Sequence, residues 1–241
     1  MSVLRVLAST LRPPPGDRHG PLVPMLVTLT FLTGVVDAVS YLMLGHVFVA
    51  NMTGNVVFLG FALAGASGLS AIASLIALGA FLLGALAGGW LGARHAHRGK
   101  LLRAANVIQA ALILLALIVA LLAHEPLHEG VRYALIVILG LAMGVQNAAA
   151  QRLAVPELTT TVLTRTLTGI ASEASFLGGA GAKAGRRGLA VAMMLLGALA
   201  GGLLVLHVSV AATLALALAL SSSVGLAAHA VSRSDAVWTH A

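Results

Sequence analysis

Apolar residues run in long blocks along this chain, and the polar ones collect between the blocks. Residues 104–123, 133–151 and 188–232 contain no Asp, Glu, Lys or Arg, and residues 19–93 contain only Asp37. Uninterrupted apolar stretches of roughly 18 residues or more read as membrane spans, and the last of these runs is long enough for two. Punctuation by Gly, Pro and charge divides the chain into apolar segments at about 25–44, 48–66, 70–93, 104–123, 131–150, 157–178, 189–206 and 209–230. The basic stretches 94–103 and 180–188 read as loops, as does the acidic stretch 124–130. Residues 151–157 read as a connection that ends at a helix start, with Pro156 and Glu157 suited to a first turn.

The segment 33–60 breaks the pattern. It is apolar enough to lie in a membrane, yet it carries Asp37, His46, Asn51, Thr53 and Asn55. A carboxylate at membrane depth is costly to desolvate and marks a functional site by default. On a helix Thr30, Thr33, Asp37 and Ser40 share one face, and Asn51 and Asn55 share another. In the second half Asn147 and Gln151 form a similar pair, and Thr161, Thr164 and Thr168 form a hydroxyl stripe.

Composition sharpens the class. Of 241 residues 59% are hydrophobic and 9% charged, and the mean hydropathy is +1.02. A soluble domain carries about 25% charged residues. The expected fold is therefore all-α, a polytopic transmembrane helical bundle. The net charge of +7 does not point to nucleic acid, because the basic residues sit in connections between apolar runs, where they set topology and meet headgroups. With no cysteine, disulfides and thiolate chemistry are excluded. Residues 1–21 form a leader without a cleavage-site pattern, 22–231 one transmembrane domain, and 232–241 a polar tail.

The transmembrane domain repeats itself. LLGALAGG occurs at Leu82–Gly89 and again at Leu195–Gly202, an offset of 113. Gly34–Ala38 (GVVDA) aligns with Gly144–Ala148 (GVQNA) at 110. The two repeats span about 22–123 and 131–231. The basic residues decide topology. If 25–66 and 131–178 each make one net crossing, as a full helix plus a re-entrant or interrupted one, eleven of fourteen Lys and Arg share a side with both termini. Eight full spans split them worse, eight against five. Six crossings with cytoplasmic ends are thus expected, which makes the repeats inverted. Inverted repeats with broken helices near the midplane are a common transporter design. Met52–Asn55 falls opposite Leu163–Thr166 at 111, so Asn147 stands opposite Asp37 and Arg165 opposite Gly54, and Asp37 and Arg165 are candidates for a buried pair between the halves.

Other residues have plainer roles. Gly84, Gly88 and Gly92, Gly140 with Gly144, and Gly197 with Gly201 make small-xxx-small steps for helix packing, within the chain or in a homodimer. His124, Glu125, His128 and Glu129 flank Pro126 and lack a converging third ligand, so no metal site is assigned. His95 and His97 read as solvated loop residues. No phosphate-binding loop, zinc-protease or serine-hydrolase motif is present, so neither an enzyme nor a cofactor is expected.

Gly34, Asp37, Ala38, Ser40 and Tyr41, the run Gly45–Asn55 (GHVFVANMTGN), Gly144–Ala148 and Thr159–Thr164 together resemble the YoaK-like bacterial membrane proteins, the family DUF1275. The likeness extends from about residue 24 over nearly the whole chain, and Phe48–Asn55 is its most specific part. Arg165 departs from it, standing where the family has Gly. The resemblance implies a multi-pass protein of the bacterial inner membrane with about six spans, and it supplies no substrate. The reading is a transporter or channel for a small solute or ion. Its site lies near the bilayer midplane between the repeats and is lined by Asp37, Asn51, Thr53, Asn55, Asn147, Thr164 and Arg165. The competing reading is a non-transporting scaffold or assembly factor acting through the glycine faces.

Overall fold

The computed structural model describes residues 17–123, 127–155, 167–168, 181–234 and 236–239, with the side chains of 181–185 and 237 set aside. Among these residues seven α-helices carry the fold: α1 Leu22–Met43, α2 Met52–Leu63, α3 Ala71–Arg94, α4 Arg98–Leu122, α5 Glu129–Leu153, α6 Gly181–His207 and α7 Val210–Val231. A 3-10 turn at Val237–Thr239 follows. Leu- and Ala-rich sequence favours helix, and lipid demands it, because backbone groups find no water partner there. Side chains cap three starts. Ser70 accepts from Ala73 N–H (3.1 Å), His97 Nδ1 from Lys100 N–H (3.2 Å) and Ser209 from Ala212 N–H (3.0 Å).

Six of the helices are long and apolar enough to cross a membrane. At 12 residues α2 is not; it spans about 18 Å, against a hydrocarbon core of about 30 Å. Among the described residues six helices thus qualify as spans, and the segment expected at 48–66 is not a full one, which argues against the alternative of eight. Three boundaries differ from expectation. The basic stretch 94–103 is not a loop: helix resumes at Arg98, one residue after the His97 cap. Residues 181–188, read as a closing loop, begin α6. Residues 151–153 finish α5, and Ala154 ends it in the left-handed region at φ 48°. The leader 2–11 and, apart from residues 167–168, the segment 157–178 lie outside the described residues.

Two helices form the interior. Burial reaches 83% of the apolar window of α1 and 61% of that of α5, against at most 33% for α3, α4, α6 and α7. The outer four turn Leu82, Leu86, Leu121, Leu195, Leu199 and Leu226 outward, as a lipid-facing belt requires.

The helix crossings recur along the chain. A Cβ on Gly84 would collide with Leu141 O, and one on Gly197 with Phe31 O. Gly88 lies against Val145 and Ala148, and Gly201 against Val35 and Ala38. Gly144 meets Phe81 O and Ala85 N, and Gly34 meets Met194 O and Ala198 N. These three contacts of α3 on α5 reappear as α6 on α1, displaced by the 113 and 110 residues that separate the matching sequences. Helix ends recur at the same offsets, Met43 with Leu153 and Arg94 with His207. Gly140 packs on Ala80, and Gly92 on the Arg152 side chain.

One end of the bundle gathers the start of α1, the α3–α4 junction, the end of α5 and the tail. Buried Arg98 donates to the carbonyls of Arg18 (3.2 Å), Trp238 (3.3 Å) and Leu153, and to His19 Nδ1 (3.4 Å). Because α1 begins where α5 ends, the two inner helices run antiparallel. His97, expected to be solvated, hydrogen-bonds through Nε2 to Ser234 O (2.9 Å) and sets its ring edge-on to Trp238. With Nδ1 accepting from Lys100, Nε2 is the donor.

Candidate functional site

The break after α1 is built by side chains that replace missing helical partners. Leu44 N–H still reaches Ser40 O (3.1 Å) and His46 N–H reaches Tyr41 O (3.2 Å), while Gly45 (φ 106°) and His46 (φ 58°) turn the chain out of the helix. Glycine suits the first of these positions, since φ beyond +90° is closed to other residues. Residues 47–51 then run without helical bonds, and three successive N–H groups are left to satisfy.

Asn55 and Asp37 do so. Phe48 N–H donates to Asn55 Oδ1 (2.8 Å), and Asn55 Nδ2 donates back to Phe48 O. Val49 N–H (3.1 Å) and Ala50 N–H (2.9 Å) both donate to Asp37 Oδ1. Asn51 Nδ2 donates to Asp37 Oδ2. Asp37 and Asn55 are buried, so these bonds form away from water, where leaving them unmade would be most costly. Tyr41 stacks on Phe48 at 5.1 Å, and Phe58 lies 5.8 Å from Phe48, closing an aromatic cluster over the break. A Cβ on Gly54 would press into the Phe48 ring. The FVANMTGN run thus reads as a structural device: Asn51 and Asn55 hold the strand, Gly54 admits Phe48, and Asp37 receives the backbone.

Of the residues read from sequence, Asp37, Asn51 and Asn55 therefore come together. Thr53 is exposed on the first turn of α2. Asn147 is half-buried on α5 and donates to Met143 O (2.9 Å), one turn back on its own helix. Thr164 and Arg165 lie outside the described residues, and with them the pairing of Arg165 with Asp37. Among the described residues no three His, Asp or Glu side chains converge as a metal would require.

A second polar element was not read from sequence. Gln109 Nε2 donates to Gln146 Oε1, and Gln146 Nε2 donates to Thr33 Oγ1 (2.9 Å), linking α4, α5 and α1 through the buried core. Thr33 in turn donates to Leu29 O (2.8 Å). Lone glutamines in Leu- and Ala-rich helices carry no periodic signal, and the partners are 37 and 113 residues apart. The available hint was the position of Gln146 beside Asn147 in the repeated GVQNA.

Comparison with known proteins shows the family. The family described as "Protein of unknown function (DUF1275)" matches residues 25–227. The chain is 32% identical over 154 residues to the UPF0700 transmembrane protein YoaK of Bacillus subtilis (strain 168), a match covering 63% of this chain and 66% of that protein. No solved structure matches the chain. The family match takes in both halves, from the buried start of α1 to α7, and the chain is a transmembrane member of the DUF1275 family.

Proposed function

We propose that the protein carries a small solute or ion across the bacterial inner membrane, as a transporter or channel built from two inverted halves. The observation that carries the reading is the broken helix after α1, held open by Asp37 and Asn55 within a bundle whose crossings repeat at fixed offsets. Irregular backbone at membrane depth is tolerated where it is buried in protein or lines a cavity, and transporters place such breaks at the interface of inverted repeats. Asp37 then acts chiefly as the positioning residue of the break, and Asn51, Thr53, Asn147, Thr164 and Arg165 are the candidates for solute contact. Arg98, Lys100 and Arg233 make one end basic, which by the charge rule faces the cytoplasm. The scaffold reading is weakened because Gly84, Gly88, Gly144, Gly197 and Gly201 all lie in crossings within the chain.

The test is flux in proteoliposomes under an imposed pH gradient, with a broad panel of small solutes and with protons. The wild type is expected to move at least one of them, Asp37→Asn to retain part of the flux, and Asp37→Ala to lose it. A wild type that moves neither solutes nor protons would remove transport as the class.

A further inference from the structure

Helices α4 and α7 meet where Gly225 lies against Asn106, 3.7 Å from the Cβ that Gly225 lacks to the Asn106 Cβ. Beside this crossing opens a groove of about 440 Å³ lined by Arg103, Asn106, Val107, Ser221, Leu226 and His229, among others. Its mouth points toward the basic end, since Arg103 is early in α4 and His229 late in α7. Its flank opens to the bilayer, where Val107 is 60% and Leu226 72% exposed.

Two residues that line the groove each carry a buried polar atom with no partner among the described residues. Asn106 is 2% and Ser221 0% exposed. Asn106 Nδ2 donates to Leu102 O (3.1 Å), but its Oδ1 accepts from nothing among the described residues, and Ser221 Oγ is equally unpaired. Hydroxyls in membrane helices usually bond a carbonyl one turn back. Thr30, Thr33 and Thr213 do so here, and Ser221 does not. Buried polar atoms in native folds find partners, so two orphans on residues that line one groove point to a molecule that completes them.

We propose that the groove binds a monoacyl anionic phospholipid from the leaflet at the basic end. The phosphate sits at Arg103 with His229 beside it. A free hydroxyl two carbons from the phosphate donates to Asn106 Oδ1 and accepts from Ser221, and the chain leaves over Val107 and Leu226. The chemistry of Asn106 sets the class, because a carbonyl oxygen only accepts and the ligand must bring a donor. A diacyl lipid has an ester at that place and brings none. Arg103 and Asn106 are three residues apart on one helix, a rise of about 4.5 Å, which suits a phosphate and its neighbouring hydroxyl. This site is separate from the break at Asp37 and does not depend on transport.

The test is titration of the full-length, delipidated protein in non-ionic detergent, read by native mass spectrometry. The probes are lysophosphatidic acid, phosphatidic acid, lysophosphatidylcholine and inorganic phosphate. Lysophosphatidic acid is expected to bind saturably and about tenfold tighter than the other two lipids, the usual worth of one hydrogen bond or ion contact. Asn106→Leu and Arg103→Gln should each weaken it by about the same factor. Arg103→Gln lies on the exposed rim and keeps the test decisive if Asn106→Leu fails to fold. The proposal is overturned by absence of saturable binding, equal binding of phosphatidic acid, displacement by inorganic phosphate, or an unchanged affinity in Arg103→Gln.

Discussion

Asn51 donates its side-chain amide to the Asp37 carboxylate across the break between α1 and α2, while the Val49 and Ala50 N–H groups occupy the other oxygen. The most conspicuous charge in the membrane domain is thus the acceptor for a stretch of backbone that has left its helix. Such an arrangement gives a buried carboxylate a structural reason to exist, and it ties the shape of the break to one side chain.

Replacing that side chain should separate shape from charge. Asp37→Ala leaves three donors unpaired, each costing about 1–3 kcal/mol. Asp37→Asn keeps one acceptor oxygen for the backbone, and Asn51 can turn its own amide oxygen toward the new NH2. Thermal unfolding in detergent is expected to show a large drop for Asp37→Ala and a small one for Asp37→Asn. Equal midpoints for Asp37→Ala and the wild type would show that the break does not need its acceptor.

The glycine crossings predict matched effects in the two halves. Gly84→Ala pushes a methyl into Leu141 O, and Gly197→Ala pushes one into Phe31 O. Each should destabilise by about 1–3 kcal/mol, the usual range for overpacking. Gly89→Ala, with open space around it, should be neutral. A strong effect at Gly84 with none at Gly197 would break the correspondence of the halves.

The glutamine chain predicts non-additivity. Gln146→Leu strands Gln109 in the core, and Gln109→Leu strands Gln146. The double replacement removes both orphans, so its cost should fall below the sum of the single ones by about 0.5–3 kcal/mol. Simple additivity in a double-mutant cycle would mean that the two side chains act separately.

The tail should come loose when its anchor is cut. Trp238 is buried against Gly20 and Gly99, and its carbonyl takes a bond from Arg98. Arg98→Lys keeps the charge but loses the planar fork that serves several carbonyls. Limited proteolysis of both Arg98→Lys and Trp238→Ala should clip the chain after residue 231 faster than the wild type. An unchanged cleavage rate would mean that the tail holds without them.

The same end should be sensitive to mild acid. Burial, reinforced by the Arg98 guanidinium, holds the pKa of His19 below its ordinary value of 6.5. The folded state therefore prefers the neutral ring, whose Nδ1 accepts from Arg98. Above pH 6.5 this contribution is whole; as pH falls below 6.5 the unfolded form takes up its proton first and the contribution shrinks. Tail proteolysis should accelerate between pH 6.5 and 5 in the wild type, and His19→Gln should flatten that dependence. A pH-independent wild type would remove His19 as the cause.

Hydropathy and charge are properties of short windows. For that reason the sequence alone was enough for the membrane class, the apolar blocks that become six span-length helices among the described residues, the LLGALAGG recurrence and the family likeness. The interruption near Gly45 and the short segment after it were legible for the same reason. Hydrogen-bond partnership is not a window property. Only the tertiary structure decided that Asp37 receives Val49 and Ala50, that Gln109 reaches Gln146 and Thr33, and that Arg98 and His97, read from sequence as loop residues, are a buried anchor and a helix cap. It also decided that Asn106 Oδ1 and Ser221 Oγ have no partner among the described residues. In a bilayer each buried donor and acceptor must be matched by another group of the protein or by a ligand, and which groups meet depends on how six helices pack together, not on the composition of any one of them.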